Sequence, residues 1–151
     1  MVAMRLRDPG PGGIPQMRSF FSPTISDVPE TALAARQLRN RSDLGPADMQ
    51  PAILYDHFSP MVLMQLEAFG FCGPGEGKDF VKDGRVELGG ELPLNTNGGP
   101  LGEAYIHGMN GIAEAVRQIR GTAVNQVPEV EHVIVTSGPG VPTSALILGA
   151  D

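Results

Sequence analysis

The sequence feature that most constrains the fold is a glycine-rich polar loop that leads directly into a helical pattern. Residues 95–102 read NTNGGPLG, and their glycines permit positive φ angles and a close approach of the backbone to a ligand. Behind this loop, apolar side chains recur at intervals of three or four residues, at Ile106, Met109, Ala113, Val116 and Ile119. The pattern predicts one unbroken helix from Glu103 to Arg120, ended by Gly121.

The composition is that of a single globular domain. The 151 residues are 41% hydrophobic, which is enough for a core, and no apolar run reaches the length of a membrane span. The net charge is -6 and there is no basic stripe, which argues against nucleic acid and anionic membranes as partners. A single cysteine, Cys72, excludes an internal disulfide framework. Because no secretory signal is present, we expect a cytoplasmic protein.

The amino-terminal residues differ in character from the remainder. Residues 1–19 are rich in glycine and proline, and they predict a disordered leader or linker remnant before an ordered domain over 20–151. Within that domain, Asp27 is the expected N-cap of a helix that has Pro29 in its first turn. This helix is expected to run to about Arg41.

The later elements alternate between helices and short strands. A strand at 52–55 precedes an apolar helix at about 59–69, and an extended excursion with two turns follows over 78–94. Strands at 132–136 and 145–148 are joined by a Gly-Pro turn. This order predicts an α/β fold, with helices packed on a mixed β-sheet whose last two strands form an antiparallel edge.

Two tyrosines are the first candidates for chemistry, because a phenol with an ordinary pKa of about 10 donates a proton readily at neutral pH. Tyr55 ends a strand and Tyr105 opens a helix; the alternative is that both only line the edge of the core. His57 is a further candidate, whereas His107 points about 200° away from Tyr105 on an ideal helix and is expected to be structural. Cys72 has no adjacent base and is expected to be a small buried apolar residue.

Two glycine-containing loops are candidates for substrate binding. Asn97, Gly98 and Gly99 could shape an acyl pocket, and a second loop after the penultimate strand contains Ser137, Gly138 and Gly140. Such loops are also ordinary turns, and neither has the spacing of a phosphate- or dinucleotide-binding motif. No histidine pair or cysteine has the spacing of metal ligands, so no metal site is expected.

Three motifs in order carry a family resemblance. The chain has YDHF at 55–58, NGG at 97–99 followed by AYI at 104–106, and TSGPG at 136–140. It therefore resembles the C-terminal half of the thiolase superfamily, in which Asn-Glu-Ala-Phe, Gly-Gly followed by Gly-His-Pro, and Cys-x-Gly occupy these places. Over 89–149 it is similar to the sterol-carrier-type, lipid-transfer branch of thiolase-like proteins, which includes steroid side-chain aldolases.

The resemblance implies retro-aldol cleavage of a β-hydroxyacyl-CoA, with an acyl-CoA as substrate and no separate cofactor. Tyr55 and Tyr105 replace the asparagine and histidine of thiolases, and Thr136 replaces the second cysteine, which disfavours ordinary acetyltransferase chemistry. The aldolases of this branch use two tyrosines at these places, so Tyr55 and Tyr105 are implied to share the proton transfers. Asn97 or the backbone N–H groups of 138–140 would stabilise the thioester oxyanion.

The resemblance also implies partners. A thiolase fold has two similar halves, so the chain is expected to need an N-terminal half, to form a homodimer when full length, and to work with a small zinc-ribbon and OB-fold protein. Three alternatives remain open: an acyltransferase-type enzyme, a non-catalytic acyl-CoA carrier for lipid transfer, and an inactive fragment that complements a separate N-terminal half. As an aldolase or an acyltransferase, the chain alone is expected to be inactive.

Overall fold

The protein contains a mixed four-stranded sheet with helices on both faces. The computed structural model describes residues 2–6, 28–104, 106–138 and 143–150. The strands are β1 (Val2–Leu6), β2 (Ala52–Ile53), β3 (His132–Ser137) and β4 (Thr143–Gly149), in the spatial order β1-β4-β3-β2. β2 runs parallel to β3, whereas β3 and β4 are antiparallel. The predicted α/β class and the antiparallel pairing of the last two strands are confirmed.

The first strand corrects the prediction for the amino terminus. Val2–Leu6 pairs antiparallel with β4, from Val2 opposite Ile147 to Leu6 opposite Thr143. The expectation of a disordered leader over 1–19 is therefore wrong for this segment, and β4 is not the edge of the sheet. The prediction failed because strand addition needs only backbone hydrogen bonds to an open edge, not apolar bulk to bury. Residues 7–19 lie outside the described residues.

Five α-helices accompany the sheet in the described part of the chain. They are α1 (Pro29–Ser42), α2 (Ser59–Phe69), α3 (Gly77–Phe80), α4 (Gly99–Gly102) and α5 (Met109–Ile119), with a 3-10 turn at Pro46–Asp48. The first two agree with the predicted bounds. However, Val28 and not Asp27 occupies the N-cap position of α1, and it makes no side-chain capping bond. Asp27 itself lies outside the described residues.

The segment over 78–94 is compact rather than extended. It begins in α3 and continues through successive turns, with positive φ at Asp83, Gly84 and Gly89 as the predicted turns require. The backbone of Leu92 bonds to Arg85, and this closes the segment on itself at 2.9 Å. The prediction of turns was correct, but the prediction of an extended path was wrong because the turns follow one another too closely to leave a strand between them.

One face of the sheet, here called the covered face, lies under α1, α2 and α3 and holds the larger core. Its buried side chains include Ala35, Leu38, Leu54, Leu66, Phe69, Phe80, Ile134 and Ile147. A void of about 20 Å³ remains there, lined by residues of α1 and by Phe69. Such a small gap shows that this face is closely packed.

The opposite face, here called the open face, is in contact with a single longer helix, α5. Its buried apolar cluster is small and consists of Ile53, Val133 and Val135 from the sheet and Ala115 from α5. The helix lies very close to β2, since a Cβ atom on Gly111 would come within 2.9 Å of the Ile53 side chain. Glycine at this position thus permits the close approach of helix and sheet.

The central helix is shorter than predicted and is turned differently. Positive φ angles at His107 (53°) and Gly108 (83°) interrupt the chain, so α5 begins at Met109 and the stretch from Glu103 is not one helix. Ile106 and Met109 of the predicted apolar stripe are exposed. The buried positions of α5 include three polar residues, Asn110, Glu114 and Gln118. The predicted buried side of the helix was wrong because the polar side chains of α5 have hydrogen-bond partners elsewhere in the chain, and these partners make the burial of that side favourable.

Candidate functional site

Tyr55 occupies the point where β2 stops pairing with β3. The residue is 9% exposed. Its backbone N–H donates to Oγ1 of Thr136 at 2.9 Å, and its carbonyl oxygen accepts from Nε2 of Gln65 at 2.8 Å. Both bonding partners are side chains from other elements, β3 and α2. The backbone of Tyr55 is therefore held by side chains at the place where the ladder of the sheet ends.

The ring of Tyr55 contacts both His57 and the residue that precedes α5, Gly108. The Tyr55 and His57 ring centroids are 5.1 Å apart with a 49° angle between the planes. A Cβ atom on Gly108 would lie 3.2 Å from the Tyr55 ring, which is tighter than ordinary contact. Nδ1 of His57 is buried and has no hydrogen-bond partner among the described residues. The predicted candidates Tyr55 and His57 are thus neighbours in space.

The glycine-rich loop is fixed against the same segment. Oδ1 of Asn95 accepts from the Leu54 N–H at 2.7 Å, and Oδ1 of Asp56 accepts from the Leu101 N–H at 3.3 Å. Gly99 has φ of 62°, and a Cβ atom there would lie 2.2 Å from Oδ2 of Asp56. Gly99 is buried while Gly98 is exposed. The packing of Asp56 therefore explains why glycine is needed at position 99.

The amide of Asn97 is engaged inside the loop. Its Oδ1 accepts from the Gly99 N–H at 3.2 Å, and its Nδ2 donates to Oε2 of Glu103 at 2.7 Å. Nδ2 of Asn110 donates to the same carboxylate oxygen at 3.0 Å. Glu103 therefore joins the loop to the first turn of α5, although it is not itself part of that helix.

A second set of bonds ties the loop to the middle of α5. The Thr96 hydroxyl donates to Oε1 of Glu114 at 2.6 Å, and Nε2 of Gln118 donates to Thr96 Oγ1 at 2.9 Å and to Glu114 Oε1 at 3.0 Å. Nδ2 of Asn125 donates to the Thr96 carbonyl at 2.7 Å. Sequence reasoning missed these residues, because their partners are distant in the chain and their polar character suggested the solvent side.

A cleft of about 380 Å³ opens on the open face beside Tyr55. Gly108 and Thr136, which both contact Tyr55, line this cleft together with Ser137. The other lining residues are His107, Met109, Ile112, Val135, Ser144, Ala145 and Leu146. The lining is mainly apolar with a few hydroxyl groups, which is the usual character of a pocket for a largely apolar ligand.

The second predicted loop is described only in part. Ser137 is exposed at the end of β3, and the carbonyl oxygen of Gly138 accepts a 2.7 Å bond from the Thr143 hydroxyl. Tyr105 and Gly140, which were also predicted as site residues, lie outside the described residues. The roles of all the predicted site residues therefore remain predictions.

The other features of the described part of the chain concern metal binding, membrane spans and the single cysteine. No group of three or more His, Cys, Asp or Glu residues there could hold a metal ion. No described helix is long and apolar enough to cross a membrane. Cys72 is half-buried, and this burial, followed by the charges of Glu67 and Glu76, raises the pKa of its thiol. A thiol with a raised pKa is a poor nucleophile at neutral pH, as expected for a structural cysteine.

The fold and the order of the three motifs define a thiolase-type domain. A family model described as thiolase C-terminal domain-like matches residues 16–149, and the chain belongs to this family. The predicted family is thereby confirmed.

Among curated relatives, the 17-hydroxy-3-oxo-4-pregnene-20-carboxyl-CoA lyase of Mycobacterium tuberculosis is 64% identical over 88% of this chain and 34% of that protein. The steroid side-chain-cleaving aldolase of Thermomonospora curvata is 62% identical over 89% of this chain and 34% of that protein. The chain thus spans about a third of the length of these relatives. A solved structure, the Ltp2-ChsH2(DUF35) aldolase, superimposes with a TM-score of 0.90 at 56% identity over 99% of this chain and 38% of that one.

Proposed function

We propose that this chain is the C-terminal domain of a thiolase-like lyase that cleaves a β-hydroxyacyl-CoA by a retro-aldol reaction, with a steroid or lipid side chain as the acyl group. The proposal is supported by the identity of 64% and 62% to a lyase and an aldolase. The observation that carries it within the molecule is the place of Tyr55, which is buried at the end of β2 and adjoins residues that line the 380 Å³ cleft.

The reaction requires two proton transfers. The β-hydroxyl group gives its proton to a base, the Cα–Cβ bond breaks to form a ketone, and the electron pair passes to the thioester as an enolate. An acid then protonates the enolate at Cα, which completes the acyl-CoA product. Tyr55 and Tyr105 share these transfers in the proposed mechanism, with neither assigned as acid or base. The cleft beside Tyr55 suits an apolar acyl chain, because its lining is mainly apolar.

His57 is the third proposed participant. Its ring is 5.1 Å from the Tyr55 ring, and its buried Nδ1 has no bonding partner among the described residues. A buried polar atom without a partner is unusual and commonly marks a place that a ligand or another segment satisfies. We assign His57 the task of completing the polar surroundings of Tyr55 when substrate is bound.

The thioester oxyanion is best placed at the second loop. The amide of Asn97 already bonds to Gly99 and Glu103, so its use as a donor would break the internal bonds of the first loop. Gly138 has φ of 68°, a conformation that can turn backbone N–H groups toward an anion. In this proposal the N–H groups of Gly138 and Gly140 stabilise the enolate oxygen, since Pro139 has no N–H, and Gly98 and Gly99 shape the first loop of the acyl pocket.

The remaining parts of the enzyme are also proposals. Four exposed apolar side chains belong to two segments, 55–58 and 99–109, of which the second reaches the Tyr55 ring through Gly108: they are Phe58, Leu101, Ile106 and Met109. A surface of this kind favours coverage by another protein segment, and the N-terminal half of a thiolase fold is the segment that we propose. We further propose a homodimer of the full-length protein, a zinc-ribbon and OB-fold partner, and a cytoplasmic location.

The test is a graft of this chain in place of the matching third of the Thermomonospora curvata aldolase. The unsubstituted graft should release a ketone and a shortened acyl-CoA from a β-hydroxyacyl-CoA. Tyr55→Phe and Tyr105→Phe should each lower kcat by about 10²- to 10⁴-fold, the usual contribution of a general acid or base. His132→Gln, at the opposite end of β3, is the control and should keep its activity.

Each result has a distinct meaning. Turnover that survives both tyrosine substitutions would remove the catalytic assignment. A graft that binds the acyl-CoA without cleaving it would overturn the lyase in favour of a carrier. A folded graft that neither binds nor cleaves would contradict both functions.

A further inference from the structure

The chain around Tyr55 leaves the sheet, yet its backbone groups remain bonded. β2 pairs with β3 in parallel register as far as Ile53, opposite Val135. Beyond that point the Leu54 N–H donates to the side chain of Asn95, and the two polar backbone groups of Tyr55 bond to Thr136 and Gln65. Side chains from a loop, a strand and a helix thus replace the hydrogen-bond ladder of the sheet. This allows the segment to turn away from the sheet without exposing or orphaning its backbone.

Gln65 is an unusual residue to find inside α2. It is fully buried, at 0% exposure, within a helix whose sequence is otherwise largely apolar. Its Nε2 donates to the carbonyl oxygens of Tyr55 at 2.8 Å and Met61 at 2.9 Å, and its Oε1 accepts from the Thr136 hydroxyl at 2.5 Å. Burying an amide costs free energy unless its groups are bonded, and here both donors and the acceptor are used.

Thr136 closes a ring of hydrogen bonds. Thr136 is buried, with 4% of its surface exposed. Its hydroxyl oxygen accepts a hydrogen bond from the Tyr55 N–H at 2.9 Å, and its hydroxyl group donates one to Oε1 of Gln65. Gln65 in turn donates to the Tyr55 carbonyl. These three bonds therefore hold the backbone of Tyr55 on both sides of its Cα atom, and this fixes the direction of the Cα–Cβ bond from which the phenol extends.

We propose that Gln65 and Thr136 are positioning residues that set the orientation of the Tyr55 phenol for catalysis. The inference rests on the proposed function, since it assigns these residues a role through Tyr55. Neither side chain is a proton donor to substrate in this scheme; Thr136 lies where thiolases have a cysteine, but its hydroxyl is already committed to the ring. A misplacement of about 1 Å at a reacting group can cost on the order of 10²-fold in rate. This cost gives a reason for two polar side chains to occupy the core instead of apolar ones.

The first experiment removes the hydroxyl of Thr136 in the grafted aldolase. Thr136→Val keeps the shape and should lower kcat by about 10- to 100-fold while KM changes by less than about 3-fold, because geometry and not binding is altered. Thr136→Ser keeps the hydroxyl and should retain kcat within about 3-fold. Thr31→Val removes a comparably buried threonine hydroxyl, 1% exposed on α1, and should leave kcat unchanged.

The second experiment removes the amide of Gln65. Gln65→Met keeps the length of the side chain and should lower kcat to a similar degree as Thr136→Val. Gln126→Met is the matched control, because Nε2 of Gln126 also donates to two backbone carbonyls, those of Gln118 and Val127. Since Gln65 and Thr136 act through one ring, the double variant should be no more than about 3-fold slower than the slower single variant.

The outcomes separate this inference from the proposed function. An unsubstituted graft without cleavage would overturn the function and the inference together. An active graft in which Thr136→Val or Gln65→Met retains kcat would overturn the inference alone, as would equal losses in the Thr31 and Gln126 controls. If Thr136→Val does not fold, Thr136→Cys replaces the hydroxyl by a weaker donor and acceptor. That variant should then show a loss in kcat, and full activity in it would contradict the inference.

Discussion

The two faces of the sheet differ in how completely this chain covers them. On the covered face three helices enclose a large apolar cluster and leave a void of about 20 Å³. On the open face α5 buries a small cluster and leaves a cleft of about 380 Å³, with Leu146 and Leu148 only partly buried. The sheet is therefore closely packed on the covered face and incompletely packed on the open face.

The difference separates the source of stability from the place of the site. Apolar area removed from water is the main favourable term in folding, and most of it lies on the covered face. The cleft, Gly108 and the start of α5 lie on the open face. Tyr55 stands at the junction, since Gln65 reaches it from the covered face and its ring meets Gly108 on the other side. The closely packed covered face thus holds Tyr55 in place, and the candidate site itself lies next to the cleft of the open face.

The largest expected effect compares one leucine on each face. Leu66 is 0% exposed on the covered face, whereas Leu148 is partly buried on the open face. Leu66→Ala should lower the free energy of unfolding by about 4 kcal/mol, because it leaves a cavity in a packed core, and Leu148→Ala by about 1 kcal/mol. Urea denaturation of the two variants measures the difference. Equal losses would mean that the open face is as well packed as the covered one.

The next effect compares two glycines with positive φ. A Cβ atom on Gly99 would meet Asp56 at 2.2 Å, whereas a Cβ atom on Gly89 would meet nothing within 4 Å. Gly89→Ala should cost about 1 kcal/mol from backbone strain alone, and Gly99→Ala about 3 kcal/mol because a steric clash is added. Thermal melts of the two variants test this. If both variants melted alike, the loop at the site would be looser than the contacts of Gly99 indicate.

The sequence predicted those helices and strands whose ends and type are set by neighbouring residues in the chain. The bounds of α2 agree with the sequence because Pro60 lies at its start and Gly70, with φ of 82°, follows its end. β3 was found from its run of β-branched residues, and the α/β class followed from the alternation of elements. For the candidate site, the chemistry of the phenol made Tyr55 and Tyr105 candidates, and the family resemblance rather than periodicity implied their shared role.

Long-range partners explain what the sequence could not predict. Glu114 and Gln118 are buried because Thr96 and other distant groups bond to them, and a helical periodicity assigns such residues to solvent. The break before α5 depends on a positive φ at His107, which few histidines adopt. Gln65 left one trace, as a lone amide within the apolar stretch of α2. A single amide in an apolar helix is a detectable signal, but a search limited to the residue types that commonly act in catalysis does not select it.

The smallest expected effect concerns charges on the outer surface of α3, which should contribute little to the contrast between the faces. Asp79 is exposed, and the hydrogen bonds that it accepts from Lys78 and Lys82 hold the pKa of its carboxyl at about 2, below the ordinary 3.8. Between these values the unfolded chain binds more protons than the folded one. The stabilisation is therefore complete above about 3.8 and is lost as the pH falls through about 2.

Asp79→Asn should accordingly make the loss of stability below pH 4 slightly less steep, and it should change stability near pH 7 only slightly, because exposed ion pairs are screened by water and salt. Urea denaturation at a series of pH values, in low and in 1 M salt, measures both effects. Asp83→Asn, an exposed aspartate in the neighbouring turn, is the control. If Asp79→Asn destabilised the chain at pH 7 as much as Leu66→Ala does, then surface charge and not apolar burial would distinguish the covered face from the open one.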